Sequence, residues 1–100
     1  MFFPKEVEVI EVGPRDGLQN EPNPITTEQK KDLIDRLADS GFKRIETASF
    51  VHPKWVPQMA DSEEIAAYCN QLGLTYIALT PNMKALERAL AMDVPQIAVF

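Results

Sequence analysis

Residues 42–79, FKRIETASFVHPKWVPQMADSEEIAAYCNQLGLTYIAL, contain two short apolar runs separated by a loop and a helical pattern. The runs Phe42–Thr47 and Leu74–Leu79 each follow a glycine and predict two strands. Between them, Ser49–Met59 contains two prolines and predicts a long loop. A strand, a helix and a second strand in this order are typical of parallel strands joined by a right-handed crossover, so the stretch predicts an α/β protein.

The helix between these strands is marked at both ends. Asp61 followed three places later by Glu64 matches a capping box, and Gly73 is a natural stop. One face of the predicted helix is apolar and contains Ile65, Cys69 and Leu72. Because Cys69 lies in the middle of this face, we expect a core residue rather than a nucleophile.

The same order of strand, loop and helix is predicted before residues 42–79. Val7–Val12 predicts a first strand, and the residues after it, as far as Ile25, predict a loop. Thr26 with Gln29 then forms a capping box for a helix that stops at Gly41.

The alternation of helices and strands also continues after residue 79. Asn82 predicts the start of a third helix, whose apolar face contains Leu86, Ala89 and Leu90. Val94–Phe100 predicts a fourth strand. The predicted order is βαβαβαβ in one domain, residues 1–100. This order fits an open flavodoxin-like sheet, or the N-terminal part of a TIM (β/α)₈ barrel that stops within or just after its fourth strand.

Composition narrows the class of partner. The 100 residues carry a formal net charge of -5, which disfavours nucleic acid and anionic membranes as partners and leaves a small molecule. No apolar run approaches the roughly 20 residues of a membrane helix, and the opening MFFPKEVEVIEV shows no leader pattern. With one cysteine, which cannot form an intrachain disulfide, these features predict a cytoplasmic protein.

The first polar stretch of interest is EVGPRDGLQNEP, residues 11–22, which directly follows the first predicted strand. Catalytic groups of α/β barrels lie at the carboxyl ends of strands, which is where Arg15 and Asp16 fall. Asp16 offers carboxylate oxygens to a hard divalent cation, and Arg15 can bind a carboxylate or enolate oxygen through its fork of donors. The alternative is a polar turn in which the two side chains pair with each other or cap nearby backbone.

A second polar stretch places Glu46 at the end of the second predicted strand and Ser49 in the loop beyond it. A buried carboxylate needs a partner, because an isolated buried charge is costly. Arg15 is the obvious candidate. The pair would either hold the guanidinium toward a substrate or serve as a purely structural ion pair.

The other polar or aromatic side chains favour structural explanations. His52, the only histidine, is expected at the surface or in loop packing. Trp55 and Pro57 are expected to pack their loop against the domain. Lys84 and Arg88 could meet a phosphate, but exposed helix charge is the favoured interpretation.

The strings EVGPRDGLQNE and IETASFVHPKWVPQMAD closely resemble signature segments of hydroxymethylglutaryl-CoA lyases. These enzymes belong to a metallolyase superfamily of (β/α)₈ barrels that includes isopropylmalate and homocitrate synthases. The Arg-Asp-Gly turn alone marks only the superfamily, whereas GLQNE and PKWVPQMAD are typical of the lyases. The resemblance covers essentially the whole chain.

The resemblance implies roles for individual side chains. Asp16 is similar to the family's ligand for Mg²⁺ or Mn²⁺, Arg15 to the residue that stabilises a thioester enolate, and Glu46 to the acid that completes an Asp-Arg-Glu trio. Gln19 and Ser49 match substrate-binding positions. The family's other metal ligands, a His-x-His pair and an Asn, and its loop cysteine have no counterpart in this sequence. The 100-residue chain alone is therefore predicted to be inactive.

The implied activity is a metal-dependent retro-Claisen cleavage of 3-hydroxy-3-methylglutaryl-CoA to acetyl-CoA and acetoacetate, as in leucine catabolism and ketone-body formation. The resemblance also implies a homodimer at full length. Two alternatives stay open: a superfamily relative that cleaves another 3-hydroxyacyl-CoA, and a non-catalytic truncated barrel that acts as an interaction module.

Overall fold

The computed structural model describes residues 3–99, in which helices and strands alternate. The helices and strands are α1 Thr27–Asp39, β1 Arg44–Ser49, α2 Ser62–Leu72, β2 Thr75–Leu79, α3 Met83–Ala91 and β3 Gln96–Ala98. A π-helical turn spans Gly13–Gly17, and a 3₁₀ turn spans Pro57–Met59. The strands form a parallel sheet in the order β1-β2-β3, as the alternation predicts.

The prediction of a first strand at Val7–Val12 is only partly right. Glu11 forms an isolated parallel bridge to Ile45, donating its N–H to the Arg44 carbonyl at 3.3 Å and accepting from the Glu46 N–H at 2.8 Å. The described residues before it, 3–10, have no assigned strand, and the valines among them are largely exposed. Two hydrogen bonds therefore hold the end of this segment beside β1, at the point where the next turn begins.

Capping side chains set the starts of α1 and α3 as predicted. The Thr26 hydroxyl accepts from the Gln29 N–H at 3.1 Å, and the Gln29 side chain accepts from the Thr26 N–H at 2.9 Å. Asn82 accepts from the Ala85 N–H at 2.8 Å. These bonds satisfy donors that the helix itself leaves free.

The capping box predicted at Asp61 is wrong. Asp61 occupies the N-cap position of α2 without making a cap bond. Its carboxylate accepts from the buried Lys30 ammonium at 2.6 Å and from the Thr27 hydroxyl at 2.6 Å. The ammonium also donates to the Gln58 carbonyl. A long-range ion pair, which joins the start of α1 to the start of α2, has replaced the local cap.

The main core lies between the helices and one face of the sheet. Its buried members are Ile34, Ala48, Phe50, Ile65, Ala66, Cys69, Tyr76, Ala78, Ala85 and Ala89. Cys69 is fully buried, as predicted, and burial raises the pKa of its thiol to about 11. Leu72 and Leu90 were expected on apolar faces, but they are 44% and 67% exposed.

The predicted fourth strand is shortened in the structure. β3 covers Gln96–Ala98 rather than Val94–Phe100, and Phe100 lies outside the described residues. Ile97 and Val99 are 43% and 72% exposed. Among the described residues, β3 pairs with β2 alone and forms an edge of the sheet. Within residues 3–99, the helices are too short and too polar to cross a bilayer.

Candidate active site at the carboxyl end of the sheet

The site begins where the N-terminal segment leaves the sheet. The N–H groups of Arg15, Asp16 and Gly17 all donate to the Val12 carbonyl, at 3.1, 2.7 and 3.3 Å. The first part of the predicted loop is therefore an ordered π-helical turn, Gly13–Gly17. Three bonds to one carbonyl fix the backbone that carries the Arg-Asp pair.

Gly13, the first residue of this turn, lies close to the side chain of Glu11. Its N–H donates to Glu11 Oε1 at 2.8 Å, and a Cβ at this position would lie 2.9 Å from the same oxygen. A larger residue would have to displace this carboxylate, which lies at the end of a flexible side chain and can move at little cost.

The ion pair predicted between Arg15 and Glu46 is present. Arg15 Nε donates to Glu46 Oε1, and the two side chains are only 17% and 10% exposed. Arg15 Nη1 lies 3.4 Å from Asp16 Oδ1 and 3.4 Å from Gln19 Oε1. One guanidinium therefore brings together three other side chains that the sequence predicts for the site.

Asp16 is placed differently from Glu46. Its side chain is 56% exposed, and the contact to Arg15 is long, so its oxygens remain accessible. Hard divalent cations prefer carboxylate oxygens, and Asp16 fits as one such ligand. No group of three or more His, Cys, Asp and Glu residues that could hold a metal ion occurs in the part of the chain that the structure describes.

A bulge in β1 places Glu46 and Ser49 on the same face of the sheet. Glu46 pairs with Ile77, and Ser49 pairs with Leu79. The register of β1 against β2 shifts between Glu46 and Ala48. Ile77 and Leu79 are two residues apart on β2 and therefore face the same side of the sheet. Their partners Glu46 and Ser49 also share a face because of the bulge, whereas regular alternation would place them on opposite faces. Ser49 was predicted in the loop but ends β1 and is fully buried.

Two residues of the loop after β1 differ from their prediction. Trp55 is 81% exposed and Pro57 is also exposed, so the expected packing of both against the domain is wrong. Backbone bonds hold this turn instead: the N–H groups of Trp55 and Val56 donate to the His52 carbonyl at 2.9 and 3.3 Å. His52 is exposed, as expected, and its Nδ1 accepts from the Lys54 N–H at 3.1 Å.

Arg88 is not the exposed helix charge that we predicted. It is half-buried, with Nε donating to Glu63 at 2.7 Å and Nη1 to the Phe50 carbonyl at 2.9 Å. Its guanidinium also lies 5.2 Å from the centre of the Phe50 ring. Arg88 thus anchors the backbone just beyond Ser49, whereas Lys84 is exposed as expected.

Ser62 is the residue of this region that the sequence analysis missed. Its buried hydroxyl contacts the backbone of Ser49. A serine in the first turn of a helix is common, and the sequence carries no pattern that would reveal a partner on the preceding strand.

Known proteins match the chain along its whole length. The family model described as HMGL-like matches residues 6–100. The 3-hydroxy-3-isohexenylglutaryl-CoA/hydroxymethylglutaryl-CoA lyase of Pseudomonas aeruginosa is 54% identical over 101 residues, 100% of this chain and 34% of that protein. The mitochondrial hydroxymethylglutaryl-CoA lyase of Pongo abelii is 50% identical over 99 residues, 98% of this chain and 30% of that protein. The chain spans about a third of the length of these relatives.

Solved structures show the same relation. The hydroxymethylglutaryl-CoA lyase of Pseudomonas aeruginosa superposes with a TM-score of 0.89 at 54% identity, covering 97% of this chain and 33% of that one. An Acinetobacter baumannii lyase, solved with coenzyme A and 3-methylmalate, gives 0.82 at 40% identity, covering 92% and 30%. The likeness confirms the predicted N-terminal portion of a TIM barrel and excludes the flavodoxin-like sheet.

The predicted cytoplasmic location is corrected by these comparisons. The relative from Pongo abelii, and those from other vertebrates, are named as mitochondrial proteins. A lone cysteine cannot form an intrachain disulfide in any compartment, and so it does not distinguish one location from another.

Proposed function

The chain belongs to the HMGL-like family, and we propose that it supplies the first part of the active site of a metal-dependent hydroxymethylglutaryl-CoA lyase. The reaction would cleave 3-hydroxy-3-methylglutaryl-CoA to acetyl-CoA and acetoacetate. The observation that carries the proposal is the partly buried Arg15–Glu46 pair, with Asp16 and Gln19 in contact with the same guanidinium. The names of the relatives and the metal dependence of HMGL-like lyases support it.

Arg15 is suited to stabilise the enolate of the departing acetyl-CoA. Its Nε is bound by Glu46, which orients the guanidinium, while the two Nη1 contacts are 3.4 Å long. Those contacts exceed the usual length of about 2.7–3.2 Å and are weak, so Nη1 can turn to a stronger acceptor. As the carbon–carbon bond breaks, charge collects on the thioester oxygen, which is such an acceptor.

Asp16 would hold the divalent cation, with further ligands from the part of the protein beyond this chain. Its exposed carboxylate has the oxygen donors that both Mg²⁺ and Mn²⁺ accept. When bound, the cation lowers the pKa of the substrate's tertiary hydroxyl and so favours its deprotonation. Asp16 directly follows Arg15. Adjacent residues would therefore act on the two sides of the breaking bond: Asp16, through the cation, on the side that carries the hydroxyl, and Arg15 on the thioester enolate.

Ser49 and Gln19 would bind substrate oxygens. Ser49 Oγ is a fully buried side-chain oxygen without a hydrogen-bond partner within residues 3–99, and it lies on the same sheet face as Glu46. Buried polar atoms are almost always satisfied, so a substrate oxygen is a reasonable partner. The Gln19 amide already contacts Arg15 and could align the same part of the substrate.

A second candidate is cleavage of a related 3-hydroxyacyl-CoA with a larger 3-alkyl group. It is favoured by the 54% identity to a relative whose name includes the isohexenyl substrate. Binding of the CoA portion is supported by the Acinetobacter baumannii structure, which contains coenzyme A. The homodimer implied by the resemblance stays a prediction, which light scattering of the full-length protein would test.

The proposal is tested by measuring the reaction products that the full-length protein forms. The protein would be supplied with either substrate and with Mg²⁺, Mn²⁺ or EDTA, and acetyl-CoA and the released keto acid would be measured. We expect metal-dependent release of acetoacetate from the methyl substrate, whereas preference for the isohexenyl substrate would favour the second candidate. A folded, full-length protein that cleaves neither would contradict the proposal and favour an interaction module.

A further inference from the structure

Ser62 makes an unusual set of contacts for a serine at the start of a helix. Its hydroxyl accepts from the Ser49 N–H at 3.2 Å and lies 2.7 Å from the carbonyls of both Ser49 and Met59. A hydroxyl has one hydrogen, so it donates to one of these carbonyls at a time. Both serines are almost completely buried, and water is therefore a poor substitute for either contact.

These contacts do not belong to helix capping. The N-cap of α2 is Asp61, and Ser62 is the first helical residue. A capping hydroxyl binds N–H groups of its own helix, whereas the Ser62 hydroxyl binds the last residue of β1 and the 3₁₀ turn before α2. It connects the end of a strand to the elements that follow it.

The residue held in this way is Ser49. With its N–H and carbonyl both near the Ser62 hydroxyl, the orientation of the Ser49 backbone, and hence the direction of its Cβ, is fixed just after the bulge of β1. The Ser49 hydroxyl is left without a partner within residues 3–99, on the sheet face shared with Glu46.

We propose that Ser62 is a positioning residue, which holds the Ser49 hydroxyl in place to bind a substrate oxygen beside the Arg15–Glu46 pair. This inference rests on the proposed function, which assigns the Ser49 hydroxyl to the substrate. Ser62 itself touches no reacting atom, and its effect on the reaction passes entirely through Ser49.

The inference is tested by combining two substitutions in the full-length protein. Ser49→Ala should lower kcat/KM about tenfold or more, the effect of one lost hydrogen bond to substrate. Ser62→Ala should lower it by a similar or smaller factor, but should have no further effect once Ser49 is alanine. Thermal unfolding of the same proteins should show that Ser62→Ala lowers the Tm in both backgrounds.

Several controls separate this inference from a general loss of structure. Ser62→Thr keeps the hydroxyl and should keep activity. If Ser62→Ala does not fold, Ser62→Cys, with its weaker donor, takes its place in the same comparison. Ser40→Ala removes a hydroxyl that donates to the Arg36 carbonyl at 2.7 Å at the end of α1, and should leave kcat/KM unchanged.

The outcomes distinguish the two proposals. An equal loss from Ser62→Ala with and without the Ser49 hydroxyl, or no loss while Ser49→Ala is impaired, would overturn the positioning role. If Ser49→Ala is fully active, the role of Ser49 and the inference both fail, while the lyase proposal stands. If the unaltered full-length protein cleaves no substrate, the proposed function fails, and the inference fails with it.

Discussion

Glu46→Gln tests the pair at the centre of the site. The change removes one charge but keeps the size of the side chain, and it leaves Arg15, only 17% exposed, without its carboxylate. Removing one partner of a fully buried pair costs about 3–5 kcal/mol. Gln retains an acceptor oxygen and Arg15 keeps some contact with water, so we expect the free energy of unfolding to fall by about 2 kcal/mol.

The assay is urea unfolding of the full-length protein, followed by circular dichroism. The matched control is Asp32→Asn, which removes the same kind of charge from an exposed pair with Arg36, 3.0 Å away on α1. That variant should lose less than about 1 kcal/mol, because exposed pairs contribute little. Equal losses in Glu46→Gln and Asp32→Asn would refute the argument that the Arg15–Glu46 pair is desolvated.

Three further predictions concern the scaffold. Lys30→Met leaves the Asp61 carboxylate without its ammonium partner and should lower the free energy of unfolding by about 2–3 kcal/mol; an unchanged urea midpoint would count against it. Burial raises the pKa of Cys69 from 9.0 to about 11. The contribution of the buried, protonated thiol to the free energy of unfolding is therefore complete below pH 9 and is lost as the pH rises to about 11. Urea midpoints across that range should show this loss, and Cys69→Ala should reduce it. Gly73→Ala, at a φ of +69°, should cost about 1 kcal/mol in thermal melts, while Gly17→Ala, with nothing near its added Cβ, should cost less.

Several of the features predicted correctly from sequence have local causes. Thr26 and Asn82 start helices because their side chains bind N–H groups three residues away, within the same helix. Gly73 ends α2 because its left-handed backbone suits glycine. The Arg15–Glu46 pair was also predictable, since a carboxylate among apolar residues requires a cation and the strand order places one nearby.

The features that were missed depend on distant residues. Asp61 has the pattern of a cap, but its carboxylate binds Lys30, which lies 31 residues away in the chain. Regular alternation predicts opposite faces for Glu46 and Ser49, and only the pairing with β2 reveals the bulge between them. The backbone contacts of Ser62 likewise depend on how α2 packs against β1, which no short sequence pattern specifies.

The central claim is that Asp16 and Arg15 begin a metal-dependent lyase site. The most direct measurement is acetoacetate release from 3-hydroxy-3-methylglutaryl-CoA by the full-length protein over a titration with Mg²⁺ or Mn²⁺, compared with Asp16→Asn and with the surface control Asp32→Asn. We predict metal-dependent cleavage that is kept in the control and falls by about a hundredfold or more in Asp16→Asn. A folded Asp16→Asn variant with the same rate and the same metal dependence would contradict the claim.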